Sequence, residues 1–421
     1  MLNPVEADAL LATAVLTAEG RQDPYSAYAR MRSELPRWES SVGSTVLSTY
    51  DDGMEVLRNP KLGRPEPDMP EGRAFSGRAQ RSRENSTVML FLNPPDHTRI
   101  RGLVARAFTP RRVEELRPRL VELAEPMLDT LGSAGGGDVM ETLAIPFPVA
   151  VISELLGVPR HESNEIAPYV HEAARLIDAA ADEEVIARGE AATMKLAEYF
   201  VELAGRKRSR PDDGLFSALI DLEAEGDRLS EEELISNTIL LYAAGFETTS
   251  NLIGNGLRLL LEHPYETERL RSSPELMPSA VWEMLRHDSP VQLNVRAVLQ
   301  DTDVLGRSFQ RGAGFLVLQG SANHDETVYA DPARFDVGRF ASTGNEVGAA
   351  PTPLSFGWGA HHCLGAHLAR AEGEVFFSAM LDRFDHIELD TATLAAAGHD
   401  KPRYRASFTL RGLESLPVRV G

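Results

Sequence analysis

The stretch F-G-W-G-A-H-H-C-L-G-A-H-L-A-R, from Phe356 to Arg370, carries Cys363, the single cysteine of the 421-residue chain. A lone cysteine forms no intramolecular disulfide, so it serves as a small apolar filler, a nucleophile or a metal ligand. Its neighbours favour the ligand. Gly357, Gly359 and Gly365 remove side chains on both sides of the sulfur, which lets a flat, bulky group approach the backbone. Directly after Cys363 come good helix formers, with Leu364, Leu368 and Val375 at helical spacing. Cys363 is therefore expected at or near a helix N-terminus, where free amides and the dipole stabilise a thiolate and lower its pKa. Zinc is the competing metal: His361, His362, Cys363 and His367 are clustered, and Cys363 and His367 form an i, i+4 pair, with no second paired-ligand cluster in the sequence.

The string resembles the haem-binding signature of the cytochrome P-450 haem-thiolate monooxygenases, F-G-x-G-x-H-x-C-x-G, at each specified position: Phe356, Gly357, Gly359, His361, Cys363 and Gly365. The resemblance implies a mainly α fold with small β-sheets, one large domain over 1–421, and haem b (iron protoporphyrin IX) as cofactor. Cys363 would be the axial ligand of the haem iron, its sulfur pushing electron density onto the metal and favouring O–O cleavage. Phe356 would pack near the thiolate. The haem-ligand loop is expected at about 354–366, a central oxygen-binding helix at about 230–263 and a distal lid at about 59–93.

Bulk properties narrow the function from another side. With 43 Lys plus Arg against 63 Asp plus Glu, the net charge is −20 and the pI about 5.0, which disfavours a nucleic-acid partner. Length alone suggests two or three domains of about 150 residues, whereas the resemblance implies one. The N-terminal M-L-N-P-V-E-A-D-A-L-L-A-T-A-V-L-T-A-E-G lacks a basic segment and reads as an amphipathic helix, not a signal peptide. Apolar runs elsewhere, such as A-I-P-F-P-V-A-V-I, fall short of the roughly 18 residues of a membrane span. A soluble, cytoplasmic protein with no membrane partner is expected.

Early in the chain, D-P-Y-S-A-Y-A-R-M-R-S-E-L-P predicts a helix ending before Pro36, and Trp38 to Tyr50 a hairpin. Pro60, Pro65, Pro67 and Pro70 predict a loop from about Asn59 to Gly77, a surface linker by composition and a substrate-covering segment by resemblance. After Pro94 and Pro95, Asp96 can cap a helix. Its H-T-R-x-R segment resembles the family helix in which the positions of His97 and Arg101 contact haem propionates; a solvated basic face is the alternative. From His97 to Arg119 seven arginines face only two acids, Glu114 and Glu115, which suggests docking of an acidic protein, with Arg106, Arg111 and Arg112 steering it. By resemblance that partner would be a ferredoxin or flavodoxin on the cysteine side. Consecutive helices are expected from Val139 to Gly205, followed by a charged linker, G-R-K-R-S-R-P-D-D.

Ser230 and Glu233 form a capping-box pattern ahead of a helix running to about His263. Gly245 and the pair Thr248, Thr249 interrupt its apolar run, and the Thr248 hydroxyl can turn onto the Ala244 carbonyl, loosening the ladder and opening a small polar gap beside Gly245. Gly and Thr in a long helix also serve close packing. The segment resembles the family's oxygen-binding groove, A/G-G-x-D/E-T, at Ala244, Gly245, Glu247 and Thr248. O–O cleavage consumes two protons in a dry pocket, so Thr248 and Glu247 would be the catalytic pair, Glu247 linking the groove to solvent.

Glu283 and Arg286 lie i, i+3 on one helical face, a spacing that usually marks a weak surface pair. They match the family's E-x-x-R, whose pair would join Arg339 in a structural network beneath the ligand loop. Arg296 matches a further propionate-binding position, as does His361. Strand alternation sends Gln292 and Asn294 to the face of Arg296. By resemblance the substrate would border Gln292, Leu293 and Asn294, Leu410 in a C-terminal hairpin, Val88 and Met89 below the lid, and Leu240 and Ala243 of the central helix. The implied activity is insertion of one atom of O2, the co-substrate, into a small organic molecule of natural-product metabolism, with electrons from NAD(P)H through separate redox proteins. A monomeric enzyme is the expectation; a non-catalytic haem sensor or carrier, or a haem-dependent peroxygenase or isomerase, is the alternative.

Overall fold

Between Ser230 and His263 the chain forms one helix, Glu231–Glu262, whose apolar residues fall on every face, so it is stable only when wrapped by protein. The capping box is made: the Glu233 N–H donates to the Ser230 hydroxyl at 3.1 Å, and the Ser230 N–H donates to the Glu233 carboxylate at 2.8 Å. The helices Pro146–Leu156, Arg160–Ala174, Glu183–Ser209, Met277–His287 and Ala366–Arg383 pack around it. A Cβ on Gly256 would lie 2.5 Å from the Phe377 ring, so this glycine sets how closely the central helix and Ala366–Arg383 approach. The computed structural model describes residues 1–69, 87–178, 182–222, 229–341 and 350–421, so residues 70–86 of the expected lid lie outside the described residues. No single helix among the described residues is long and apolar enough to cross a membrane.

The sheets are small and peripheral, as the mainly α expectation requires. Strands β1 (Arg37–Glu39) and β2 (Ser44–Leu47) form the expected hairpin, with Trp38 opposite Val46; it ends at Leu47, and Tyr50 opens a helix to Arg58. Strand β3 (Leu62–Gly63) corrects the proline-rich loop. Pro60 and Pro65 flank those two residues, leaving them free to pair with Val298 and Ala297 of β5 (Asn294–Val298). With β8 (Gly314–Val317) these strands form one sheet in the order β1-β2-β8-β5-β3. The C-terminal strand β10 (Pro417–Val420) joins β4 (Gly136–Asp138) and β9 (Ile387–Leu389) in a second sheet, and β6 (Thr302–Val304) pairs with β7 (Arg307–Phe309).

Two other local expectations change. Asp96 is the first residue of the helix Asp96–Ala107, not its cap; Pro95 holds the cap position without a side-chain hydrogen bond. The basic run expected as a linker continues the helix Glu183–Ser209, where Arg206, Lys207 and Arg208 suit the negative end of its dipole.

Two buried charge clusters tie the elements together. Glu283 and Arg286, both fully buried, share two hydrogen bonds of 2.7 and 2.8 Å, and Arg339 Nε reaches both Glu283 oxygens at 3.1 Å. Arg286 also donates to the carbonyls of Asn323 at 3.0 Å and Pro332 at 2.9 Å. The second cluster centres on Asp288, which accepts from Tyr25 Oη at 2.8 Å, Tyr404 Oη at 2.5 Å, Arg411 Nε at 2.5 Å and Arg258 Nη2 at 3.0 Å. Burial alone would raise the Asp288 carboxyl, but Arg411, Arg258 and the Tyr404 hydroxyl outweigh it and hold the group well below the usual carboxylate range.

Replacing Glu283 with Gln leaves two guanidinium groups without their counter-charge. Breaking a buried pair costs about 3–5 kcal/mol, so denaturant unfolding of E283Q should show a loss of that size. Removing the surface Arg30–Glu34 pair should leave the unfolding curve nearly unchanged.

Candidate functional site

The cysteine loop is a rigid sequence of tight turns. A 3-10 turn at Leu354–Phe356 leads through Gly357 (φ +63°) and Gly359 (φ +72°) into a second at Gly359–His361, and the Cys363 N–H closes the loop on the Phe356 carbonyl at 2.9 Å. The buried network below supports its start. Asn323, whose carbonyl accepts from Arg286, takes the Leu354 N–H at 2.7 Å and donates to the Ser355 hydroxyl at 2.9 Å. Ser355 in turn donates to the Leu285 carbonyl at 2.6 Å.

The glycines divide the work differently from the expectation. A Cβ on Gly359 would lie 2.2 Å from the Leu57 carbonyl, so Gly359 allows close packing against the helix Tyr50–Arg58. A Cβ on Gly365 would meet only the Cys363 sulfur, at 3.9 Å, leaving the approach to the sulfur open on that side. Cys363 is accessible to solvent although protein surrounds it closely. Its thiol corrects a second expectation. Burial pushes it above its ordinary value, and the Gly365 amide and Arg101 pull the other way without prevailing. The helix begins three residues later, at Ala366, too late for its dipole to dominate. A cation bound at the sulfur would ionise it outright.

Beside the cysteine lie the basic side chains expected from the sequence, and Arg64, which no motif announced. The His97 and His361 rings are 4.2 Å apart between centroids, and Arg101 Nη2 donates to the His362 carbonyl at 2.6 Å. Arg296 lies two residues from Asn294 on the same face of β5, and Asn294 Oδ1 accepts from both Arg296 and Arg64. Burial and the neighbouring arginines lower the His97 imidazole to about 4 and depress His361 still further. Burial alone lowers Arg296 to about 10.

His97 and Arg296 are 2% and 1% exposed, yet His97 Nδ1 and Arg296 Nη2 have no hydrogen-bond partner among the described residues. Among the described residues no carboxylate forms an ion pair with His97, Arg101, Arg296 or His361. A buried basic set with unused donors is chemically suited to a ligand bearing carboxylates. Together with an accessible thiol, it fits haem: sulfur for the iron, cationic donors for the propionates. The zinc alternative lacks a ligand set, since no three His, Cys, Asp or Glu side chains converge among the described residues.

On the central helix, Thr248 Oγ1 donates to the Ala244 carbonyl at 2.9 Å and Thr249 Oγ1 to the Gly245 carbonyl at 2.9 Å. The helix nevertheless runs unbroken, so the expected gap beside Gly245 is not open; Ile152 lies 3.3 Å from where a Gly245 Cβ would be. Glu247 is buried and pairs with Arg405 at 2.8 Å and His171 at 3.7 Å. Those partners, distant in sequence, carried no local signal.

A cavity of about 480 Å³ lies along the helix stripe Ser236, Leu240 and Ala243, with Val88, Leu90 and Phe91 opposite. Val88, Leu240 and Ala243 thus meet as expected. Met89, Gln292, Leu293, Asn294 and Leu410 do not line it. The Met89 side chain is buried in the core beside the segment's link to Asn237, whose Oδ1 accepts the Met89 N–H at 2.9 Å. Gln292 donates to the Ser289 carbonyl at 2.8 Å and, with Leu410, borders a separate small cavity beside the N-terminal helices. Leu293 packs with Trp38 and Leu316. The cause is register: β5 starts at Asn294, so the alternation that aligns Asn294 with Arg296 does not extend back to Gln292.

The arginine-rich segment is less basic in space than in sequence. Arg99 pairs with Glu233, Arg117 with Glu374 at 2.7 Å, Arg119 with Glu154 at 3.1 Å and Arg111 with Glu115 at 2.9 Å, while Arg112 donates to the Asp213 carbonyl. Acids from other segments thus neutralise Arg99, Arg117 and Arg119, whereas Arg106 and Arg111 stay exposed.

The family model for cytochrome P450 matches residues 44–394. The chain is 38% identical to the vitamin D(3) 25-hydroxylase of Pseudonocardia autotrophica, over 95% of this chain and 94% of that protein. The solved structure of the Bacillus subtilis 168 bacillaene polyketide synthase cytochrome P450 PksS superposes with a TM-score of 0.81 at 34% identity, covering all of both chains. P450BioI in complex with an acyl carrier protein bearing hexadec-9Z-enoic acid superposes with a TM-score of 0.84 at 32% identity, over 96% of this chain and 100% of that one. Similar along nearly its whole length to enzymes named as hydroxylases and cytochromes P450, the chain belongs to the cytochrome P450 family.

Proposed function

We propose that this cytochrome P450 monooxygenase binds haem b through Cys363 and inserts one atom of O2 into an apolar organic substrate held in the cavity along the central helix. The observation that carries the reading is the accessible Cys363 thiol beside buried nitrogens of His97 and Arg296 that have no partner among the described residues. Haem b, when bound, supplies the redox-active iron that activates O2. The chain's own residues do the rest. Cys363 holds the cofactor from the loop side; His97, Arg101, Arg296 and His361, joined by Arg64, bind its carboxylates and repay their own burial. Phe356, Gly357 and Gly365 shape the loop face, and Ala244 and Gly245 the helix face.

Thr248 and Glu247 deliver protons. The Thr248 hydroxyl, now donating to Ala244, can turn to hold water, and Glu247 connects that position to the exterior. The cavity is mostly apolar and of a volume typical of sites for small organic ligands, about 300–1,000 Å³. Val88, Leu240 and Ala243 give it an apolar wall, which supports substrates of the kind made in natural-product metabolism. Electrons come from NAD(P)H through a ferredoxin or flavodoxin docking on the cysteine side, where Arg106 is an exposed cation.

The reduced, carbon monoxide-bound absorption spectrum tests the ligand. A strongly red-shifted Soret band is expected for the native protein and its loss for Cys363→Ser; an unchanged band in that variant refutes the assignment. With a surrogate ferredoxin system, Thr248→Ala should consume oxygen but divert most of it to peroxide, measured as peroxide formed per NAD(P)H oxidised.

A further inference from the structure

We infer that His171 and Arg405 govern proton supply to the Glu247–Thr248 pair: His171 passes protons from solvent to the Glu247 carboxylate, and Arg405 positions that carboxylate. The inference rests on the haem-thiolate reading above and deepens it.

Glu247 is only 6% exposed, so bulk water does not reach its carboxylate freely. Two side chains from different elements contact its opposite oxygens: Arg405 Nη2 lies 2.8 Å from Oε1, and His171 Nδ1 lies 3.7 Å from Oε2. They are chemically unequal. A guanidinium never gives up its proton in a protein, so Arg405 can orient the carboxylate but cannot feed it. An imidazole takes up and releases protons in the physiological range. The His171 side chain is 40% exposed, and its distance to Glu247 is closed by one bridging water or a small rotation of the ring. Its ring lies beside Phe246, centroid to centroid 6.2 Å, which holds it at the entrance next to Glu247.

Arg405 is itself fixed. Its guanidinium donates to Asn251 Oδ1, one helical turn beyond Glu247, and its backbone N–H donates to the Gly412 carbonyl at 2.9 Å across the C-terminal hairpin. Any Cβ on Gly412 would overlap Asn251 Oδ1 and lie 2.8 Å from Arg405 Nη2, so the missing side chain is what lets the hairpin lie on this turn of the helix. The other charged groups nearby are engaged elsewhere. Glu172 pairs with Arg175 and Arg188, and Asp178 accepts from the Phe408 and Thr409 amides. Glu247 is therefore the acid that His171 contacts.

The transfer balances without electrons. The N–H bond of protonated His171 breaks as an O–H bond forms at Glu247 Oε2, directly or through one water. Glu247 then gives its proton toward the Thr248 hydroxyl, and solvent reprotonates the exposed imidazole.

The test uses the haem-loaded protein with its carbon monoxide spectrum as the control for an intact site. His171→Gln should keep that spectrum, slow turnover by on the order of tenfold or more, and alter both the pH profile and the solvent deuterium isotope effect. Arg405→Lys should recover part of what Arg405→Gln loses. Independently of activity, the melting temperatures of Arg405→Gln, Glu247→Gln and the double variant should be non-additive, as for groups in contact. An unchanged pH profile and isotope effect in His171→Gln, or additive melting shifts, overturns this inference while leaving the haem-thiolate reading intact. Absence of the thiolate spectrum in the native protein overturns that reading, and this inference with it.

Discussion

The buried ion pair between Glu283 and Arg286 is the constraint on which the cysteine loop depends. A guanidinium deep in a protein is tolerable only when its donors are matched, and Arg286 finds acceptors in Glu283 and in the carbonyls of Asn323 and Pro332. Those carbonyls belong to segments with little regular structure of their own. Matching them to one planar fork fixes their separation, and Asn323 passes the fixed position to Leu354 and Ser355. The loop around Cys363 thus inherits its placement from a charge pair several contacts away, and Arg339 adds a second cation that keeps Glu283 from turning.

The proposed haem site shows the opposite arrangement. There Arg101 and Arg296 have no carboxylate partner among the described residues, and the neighbouring arginines join burial in lowering the histidines. Such a set costs folding energy in the free protein and recovers it when an anionic ligand binds, so ligand occupancy and stability are linked. One region is satisfied internally and acts as a foundation; the other, on the proposed reading, acts as a receptor.

Much of this was legible in the sequence where the signal is local. The cysteine loop, the Ser230 capping box and the i, i+3 spacing of Glu283 and Arg286 each involve residues within a few positions of one another, and each adopts the expected geometry. Signals requiring an element boundary failed. Gln292 and Asn294 share parity, but only Asn294 is in the strand; Cys363 does lie near a helix start, yet burial outweighs the Gly365 amide that favours the thiolate. Signals that depend on tertiary partners were invisible. The arginines from Arg99 to Arg119 look unopposed because Glu233, Glu374 and Glu154 lie far along the chain, and Arg64 entered the basic set only because two residues between prolines form a strand.

Asp288 has a consequence for the ends of the chain. Its carboxylate binds Tyr25, near the start, and Tyr404 and Arg411, near the finish, while Arg411 also donates to the Arg21 carbonyl. The two extremities therefore meet at one buried negative charge. Neither is an appendage: trimming the chain back past Tyr25 or ahead of Tyr404 would strip ligands from that charge, in the way that removing one arm of a chelator frees the ion. The molecule is closed into a ring by electrostatics where no covalent bond closes it.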